Sequence, residues 1–350
     1  MLKLRAAESN DRSAWDAYVL TQPDAAPYHL WAWRRTVELA YDHAAHYLLA
    51  EEGGQLVGVL PLFHLRALFF LNELTALPFC DVGNCLASSP QVKEALVQRA
   101  LALARQLKCR SFCLRGKLEE SVRRSAGLQL EASQKLRMVL SLPDSSEVLL
   151  AGFKSKLRSQ IRKAEKNGLE FSWARGGGIK DFYTVYARNM RDLGSPPHSR
   201  QWFDSVATQF GERARIGLVT FEGKCIGAGL IICTDQQVAI PWASTLREYN
   251  RLSPNMLLYW NLLKFSADKG YRVFDFGRST EGEGTYRFKR QWGAEDVPLC
   301  WYSLPGDYSP GTRVQRNGRK GRDLLAATWK RFPVPVSNFM GSLMRGYISL

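Results

Sequence analysis

The chain has 350 residues, 45% of them apolar and 23% charged, with 48 basic against 33 acidic side chains and a net charge of +15. This length suits two domains, and an aromatic share of 11% excludes a largely disordered chain. The positive surplus points to an anionic partner: nucleic acid, a phosphate-bearing substrate or a membrane surface.

No apolar run of signal-peptide length opens the chain. The most apolar stretch, residues 65–79, is broken by Arg66 and Glu73 and is too short to span a bilayer. A cytoplasmic protein is therefore expected. Seven cysteines (Cys80, Cys85, Cys109, Cys113, Cys225, Cys233, Cys300), with no Cys-x-x-Cys pair, read mostly as buried thiols of a reducing compartment. His43 and His46 lack a nearby third ligand, so no metal site is expected.

In chain order, a helix is expected over residues 30–41. A β-hairpin follows over 47–62 around the turn signal Gly53-Gly54. Ser89-Pro90 then opens a helix through Leu96, Ala100, Leu103 and Leu107, with serine as N-cap and proline in the first turn. That helix feeds a strand over 110–115. A domain boundary is placed near Pro143-Asp-Ser-Ser.

The second half repeats the order after a basic helix, Phe153-Lys-Ser-Lys-Leu-Arg-Ser-Gln-Ile-Arg-Lys-Ala-Glu-Lys-Asn-Gly168. Phe153, Leu157, Ile161 and Ala164 form its apolar stripe, and Asn167-Gly168 is its stop. Helices over 182–193 and 200–209 flank a Gly-Ser-Pro-Pro break. A hairpin around Glu222-Gly223 follows, then a Ser253-Pro254 helix through Leu257, Trp260, Leu263 and Ala267, then a strand over 272–277. The hairpins, helices and strands of the two halves are offset by 169, 164 and 162 residues, a drift that loop lengths explain.

The strand runs into Asp275-Phe-Gly-Arg-Ser-Thr-Glu-Gly-Glu-Gly-Thr-Tyr-Arg-Phe-Lys-Arg-Gln-Trp-Gly293. Gly282 and Gly284 permit a tight backbone bend. Arg278, Arg287, Lys289 and Arg290 surround it with cations suited to phosphate or a developing oxyanion. Asp275-Phe276-Gly277 spells a kinase triplet without the kinase catalytic loop. Glu283 stands where a phosphate-binding P-loop needs lysine.

A hairpin followed by strand, helix and strand is the order of the GNAT acyltransferase fold, and its tandem form resembles the Fem family of aminoacyl- and acyl-transferases. The basic helix resembles the one opening the second Fem domain. The glycine-rich turn leading to Phe-Lys-x-x-aromatic-Gly is similar to that family's closing motif. The likeness is strongest over 150–294, where a BioF-like acetyltransferase domain is also indicated, and is nearest to the Fem-related proteins of exosortase (PEP-CTERM) and exopolysaccharide gene sets. The coiled-coil arm of some members has no counterpart here.

The resemblance implies an α/β fold of two tandem GNAT-like domains, with mixed sheets and flanking helices, over 1–145 and 146–305, and a tail over 306–350. It implies acyl or aminoacyl transfer onto an amine of a phosphate-bearing cell-envelope, peptidoglycan-type or exopolysaccharide precursor. The donor would be a co-substrate, aminoacyl-tRNA or acyl-CoA, with no bound cofactor. Asn250-Arg-Leu-Ser-Pro-Asn255 lacks the glycine turn with which acetyl-CoA enzymes cradle pyrophosphate, which weakens the CoA reading.

Lys289 and Arg278 are assigned to charge stabilisation, and Asp275 to proton acceptance or to a pairing with a nearby arginine. Tyr286, Trp242 and Trp292 are expected to line an acceptor channel, with Arg158, Arg162 and Arg287 as further substrate-binding cations. A competing reading is a non-catalytic protein that binds RNA or a membrane surface on a degenerate GNAT fold.

Residues 313–331 hold seven cations against Asp323, interleaved with Leu324, Leu325, Ala327 and Trp329. Two outcomes stay open: a basic helix on an anionic membrane face, or a terminal helix packed on the fold. This segment and the 154–166 helix together supply eleven of the fifteen net charges, so the surplus is local.

Overall fold

The computed structural model describes residues 1–67, 71–131, 133, 135–174, 178–306 and 325–348. The chain forms two compact units: Met1–Gln134 with Pro298–Arg322 and Gly346–Leu350, and Lys135–Val297 with Asp323–Arg345.

The first unit runs through β1 (Lys3–Ala6), α1 (Arg12–Thr21), α2 (Trp31–Tyr41), β2 (Ala44–Ala45), β3 (Leu48–Glu52), β4 (Gln55–Leu60), β5 (Leu62–Ala67), β6 (Leu71–Ala76), β7 (Leu86–Ala87), α3 (Pro90–Gln106), β8 (Ser111–Arg115), α4 (Glu120–Ser125) and β9 (Gln129–Leu130). The β3–β4 hairpin turns at Gly53 and Gly54, both left-handed with φ of 59° and 80°, which matches the right-handed twist of its strands. Ser89 caps α3 by accepting from the Val92 N–H at 3.3 Å. The α3 stripe Val92, Leu96 and Ala100 is buried in a core shared with Leu60, Leu74 and Phe112. Parallel β6 and β8 pair Glu73 with Ser111, Leu74 with Phe112 and Thr75 with Cys113.

The second unit contains β10 (Lys135–Ser141), α5 (Ser146–Gly152), α6 (Ser155–Lys166), β11 (Leu169–Trp173), α7 (Ile179–Leu193), α8 (Arg200–Phe210), β12 (Ala214–Phe221), β13 (Lys224–Cys233), β14 (Gln237–Thr245), α9 (Pro254–Asp268), β15 (Val273–Thr280), α10 (Gly284–Gln291) and β16 (Glu295–Pro298), with a C-terminal helix at Val334–Arg345. One sheet takes all seven strands in the order β11-β12-β13-β14-β15-β10-β16. Its first hairpin turns at Glu222 and Gly223, φ 50° and 74°, repeating the turn of the first unit. Parallel β14 and β15 pair Gln237 with Val273, Val238 with Phe274 and Ala239 with Asp275. Ser111 and Val273 thus hold corresponding places, 162 residues apart, and the repeat is structural.

Two details differ from expectation. Ser253 is left-handed (φ 62°) and its side chain makes no capping bond to α9; its N–H closes the 3₁₀ turn Arg247–Leu252 instead. The divide near residue 145 also moves. Strand β10 pairs with β15 in the second unit, whereas Trp301–Ser303 pairs with β8 in the first. In each sheet the strand beside the parallel pair comes from across the expected boundary, so the chain changes unit at Lys135 and again at Pro298.

Candidate active site

The parallel pairing of β14 with β15 stops at Ala239 and Asp275. Beyond it β14 runs on to Thr245, while the far half of β15, among the described residues, pairs only with β10. The strands diverge at their carboxyl ends, the place where open α/β sheets take ligands.

The β15 backbone is bent at this point. The register against β10 shifts between Arg137, opposite Arg278, and Val139, opposite Asp275. Gly277, with φ 70°, supplies the left-handed residue of the resulting bulge. Three side chains hold it. Asp275, 3% exposed, accepts from Arg137 Nε at 2.7 Å and from the Gly277 N–H at 2.8 Å. Lys289, on α10 and 8% exposed, donates to the Gly277 and Arg278 carbonyls at 3.2 and 2.8 Å.

Lys289, Arg278 and Asp275 therefore meet at one bend of β15. Their geometry divides the roles. Asp275 takes the paired option, with Arg137 as its partner. Lys289 fixes the bend. Arg278 is half-buried at the bulge, beside the diverging strands.

The expected channel residues separate. Trp292 is fully buried against Phe153 and Tyr259, so it is a core residue and lines no open surface. Trp242 is 8% exposed and packs edge-on to Trp202 and Phe203. Tyr286 donates to Asp296 at 2.8 Å, and this bond raises its pKa.

Among the other cations, Arg158 donates to the Phe153 and Ala151 carbonyls at 2.6 and 3.1 Å, closing the end of α5. Arg162 and Arg287 are exposed, on α6 and α10. The α6 stripe is as expected, with Leu157, Ile161 and Ala164 buried. Arg137 had no local signal, because only the strand register brings it to Asp275.

Cys80, Cys85, Cys113 and Cys233 are buried, and burial pushes the Cys85 thiol up to about 12. Among the described residues, no group of three or more His, Cys, Asp or Glu side chains is placed to hold a metal ion. No helix among them is long and apolar enough to cross a membrane.

Residues 151–290 match the acetyltransferase (GNAT) domain family. No curated protein matches the chain. Among solved structures it is similar to FemX, with a TM-score of 0.69 at 14% identity over 90% of this chain and 99% of that one. A C-terminal domain (DUF2156) assigned to a lysylphosphatidylglycerol synthetase from Agrobacterium fabrum superposes at 0.59 and 13% identity, covering 92% and 97%. A tandem GNAT protein from the clavulanic acid biosynthesis pathway superposes at 0.55 and 15% identity, covering 87% and 98%. The chain thus carries two GNAT-like domains in tandem, and the second, over residues 151–290, matches the acetyltransferase (GNAT) family.

Proposed function

We propose that the protein is an N-acyltransferase that moves an acyl or aminoacyl group from an activated donor onto the amine of a phosphate-bearing cell-envelope or exopolysaccharide precursor. The observation that carries this reading is the divergence of β14 from β15 beside a cationic bulge. The amine attacks the donor carbonyl, the C–N bond forms, and the tetrahedral intermediate carries its charge on oxygen. The C–O or C–S bond to the donor then breaks, and the amine proton leaves with the departing group or to solvent. An activated ester needs no covalent enzyme intermediate; placement and charge stabilisation suffice.

Arg278 is the group for the oxyanion, and Lys289 and Asp275 hold the backbone that carries it. Arg162 and Arg287, both exposed, suit the phosphates of donor or acceptor. For the donor, the family match favours acyl-CoA. Against it, Pro254 removes one N–H at the start of α9 and Met256 N–H is already bonded to Ser253 O at 3.0 Å. The Fem resemblance of the basic helix and the closing motif favours an aminoacyl donor instead.

Offering charged tRNA and acyl-CoA side by side with amine-bearing precursors, and reading the products by mass spectrometry, tests the proposal. Arg278→Ala is expected to lower kcat by about a hundredfold with little change in KM. Transfer from neither donor, or an unchanged kcat in the variant, rejects the reaction or the site respectively.

A further inference from the structure

The C-terminal helix Val334–Arg345 has its amphipathicity inverted. Its inner face is made of small residues: Ser337 and Gly341 are buried. A Cβ on Gly341 would stand 2.4 Å from Pro197 Cδ, so this face must be small for the helix to seat. Bulky residues point the other way. Phe339 is 67% exposed, Leu343 59% and Val336 42%. At helical spacing, Val336, Phe339 and Leu343 share one side, opposite Gly341. A terminal helix that merely packed on its unit would bury these side chains and display the small ones.

Charge indicates what covers them. Acidic side chains stop at Asp323, while Lys330 and Arg331 precede the helix on exposed positions. Apolar side chains in line, with two exposed cations just ahead of them in the chain, match an anionic lipid interface: acyl chains take the rings and methyls while headgroups take the ammonium and guanidinium.

We propose that the helix Val334–Arg345 docks the protein peripherally on an anionic bilayer, with Phe339 and Leu343 inserted at the interface and Lys330 and Arg331 at the headgroups. The helix is both seated on its own unit and membrane-facing, because the two roles use opposite sides. The proposal does not rest on the transfer reaction.

Flotation of the full chain with phosphatidylcholine vesicles, plain or containing about a third phosphatidylglycerol, tests the proposal. The intact protein is expected to float with the anionic vesicles only. F339S/L343S, which keeps every charge, is expected to lose about tenfold or more in partitioning, with circular dichroism and melting unchanged. Equal flotation of the variant, equal binding to both vesicle types or no flotation of the intact chain overturns the proposal. Self-association of the intact chain that the variant abolishes, in sedimentation velocity without flotation, assigns the face to a second copy and also overturns it.

Discussion

Asp275 and Arg137 meet at 2.7 Å with 4% and 19% of their side chains exposed, so each desolvates the other's charge. Removing one partner from such a pair costs more than the pair contributes, because the remaining charge stays buried. Asp275→Asn is therefore expected to destabilise the second unit by about 3 kcal/mol, and urea unfolding followed by tryptophan fluorescence measures it. Replacing both residues with apolar side chains of similar size is expected to recover most of that loss. A D275N protein as stable as the parent, within about 0.5 kcal/mol, would show that the bulge does not depend on the pair. Arg137 is 138 residues from Asp275, and nothing near either residue in the chain announces the meeting. Lys289 was legible as a cation beside a glycine-rich bend. Its two carbonyl partners were not, since they depend on how α10 folds back on β15.

At the level of the element, what was local was readable. Both hairpin turns take positive φ in adjacent positions, freely at Gly53-Gly54 and with a strained Glu222 beside Gly223 in the second. The basic helix follows from its stripe and its Asn-Gly stop. Ser-Pro has two local solutions: Ser89 caps α3, whereas Ser253 turns left-handed after a 3₁₀ turn, and the dipeptide alone does not choose. The Gly277 bulge was equally hidden, because a bulge is a property of two strands in register. The repeated glycines Gly58 and Gly227 have a packing reason. A Cβ on Gly58 would lie 2.7 Å from Val92 Cγ1 and 2.9 Å from Leu96 Cδ1, so α3 approaches the sheet over bare backbone. On Gly227 the nearest neighbour would be Thr245 Cγ2 at 3.2 Å. Gly58→Ala is expected to cost about 1–3 kcal/mol. Gly152→Ala, where no atom lies within 4 Å, should shift stability by less than about 0.5 kcal/mol. Thermal melts of the two variants compare them directly, and equal losses would remove the packing argument.

For the whole molecule, the repeat was visible in the sequence but the closure of the units was not. Nothing in the sequence of β10 or Trp301–Ser303 says which sheet each joins, and an expected cut near residue 145 severs β10 from β15. The error has a physical consequence. In the second sheet β10 lies between β15 and β16, so its removal opens the edge of β15, orphans β16 and deprives Asp275 of Arg137. An unpaired edge of Val273–Thr280 would present free N–H and C=O groups to other chains. A fragment over 135–297 is therefore expected to unfold cooperatively in urea and to elute as a discrete species in gel filtration. A fragment over 146–297 is expected to show a broad transition and to aggregate. Both lack the C-terminal helix, so they differ only in β10 and the short link after it. If the shorter fragment unfolds as sharply and at the same urea concentration as the longer one, β10 is an accessory of this sheet, and the chain can be divided where its local pattern first suggested.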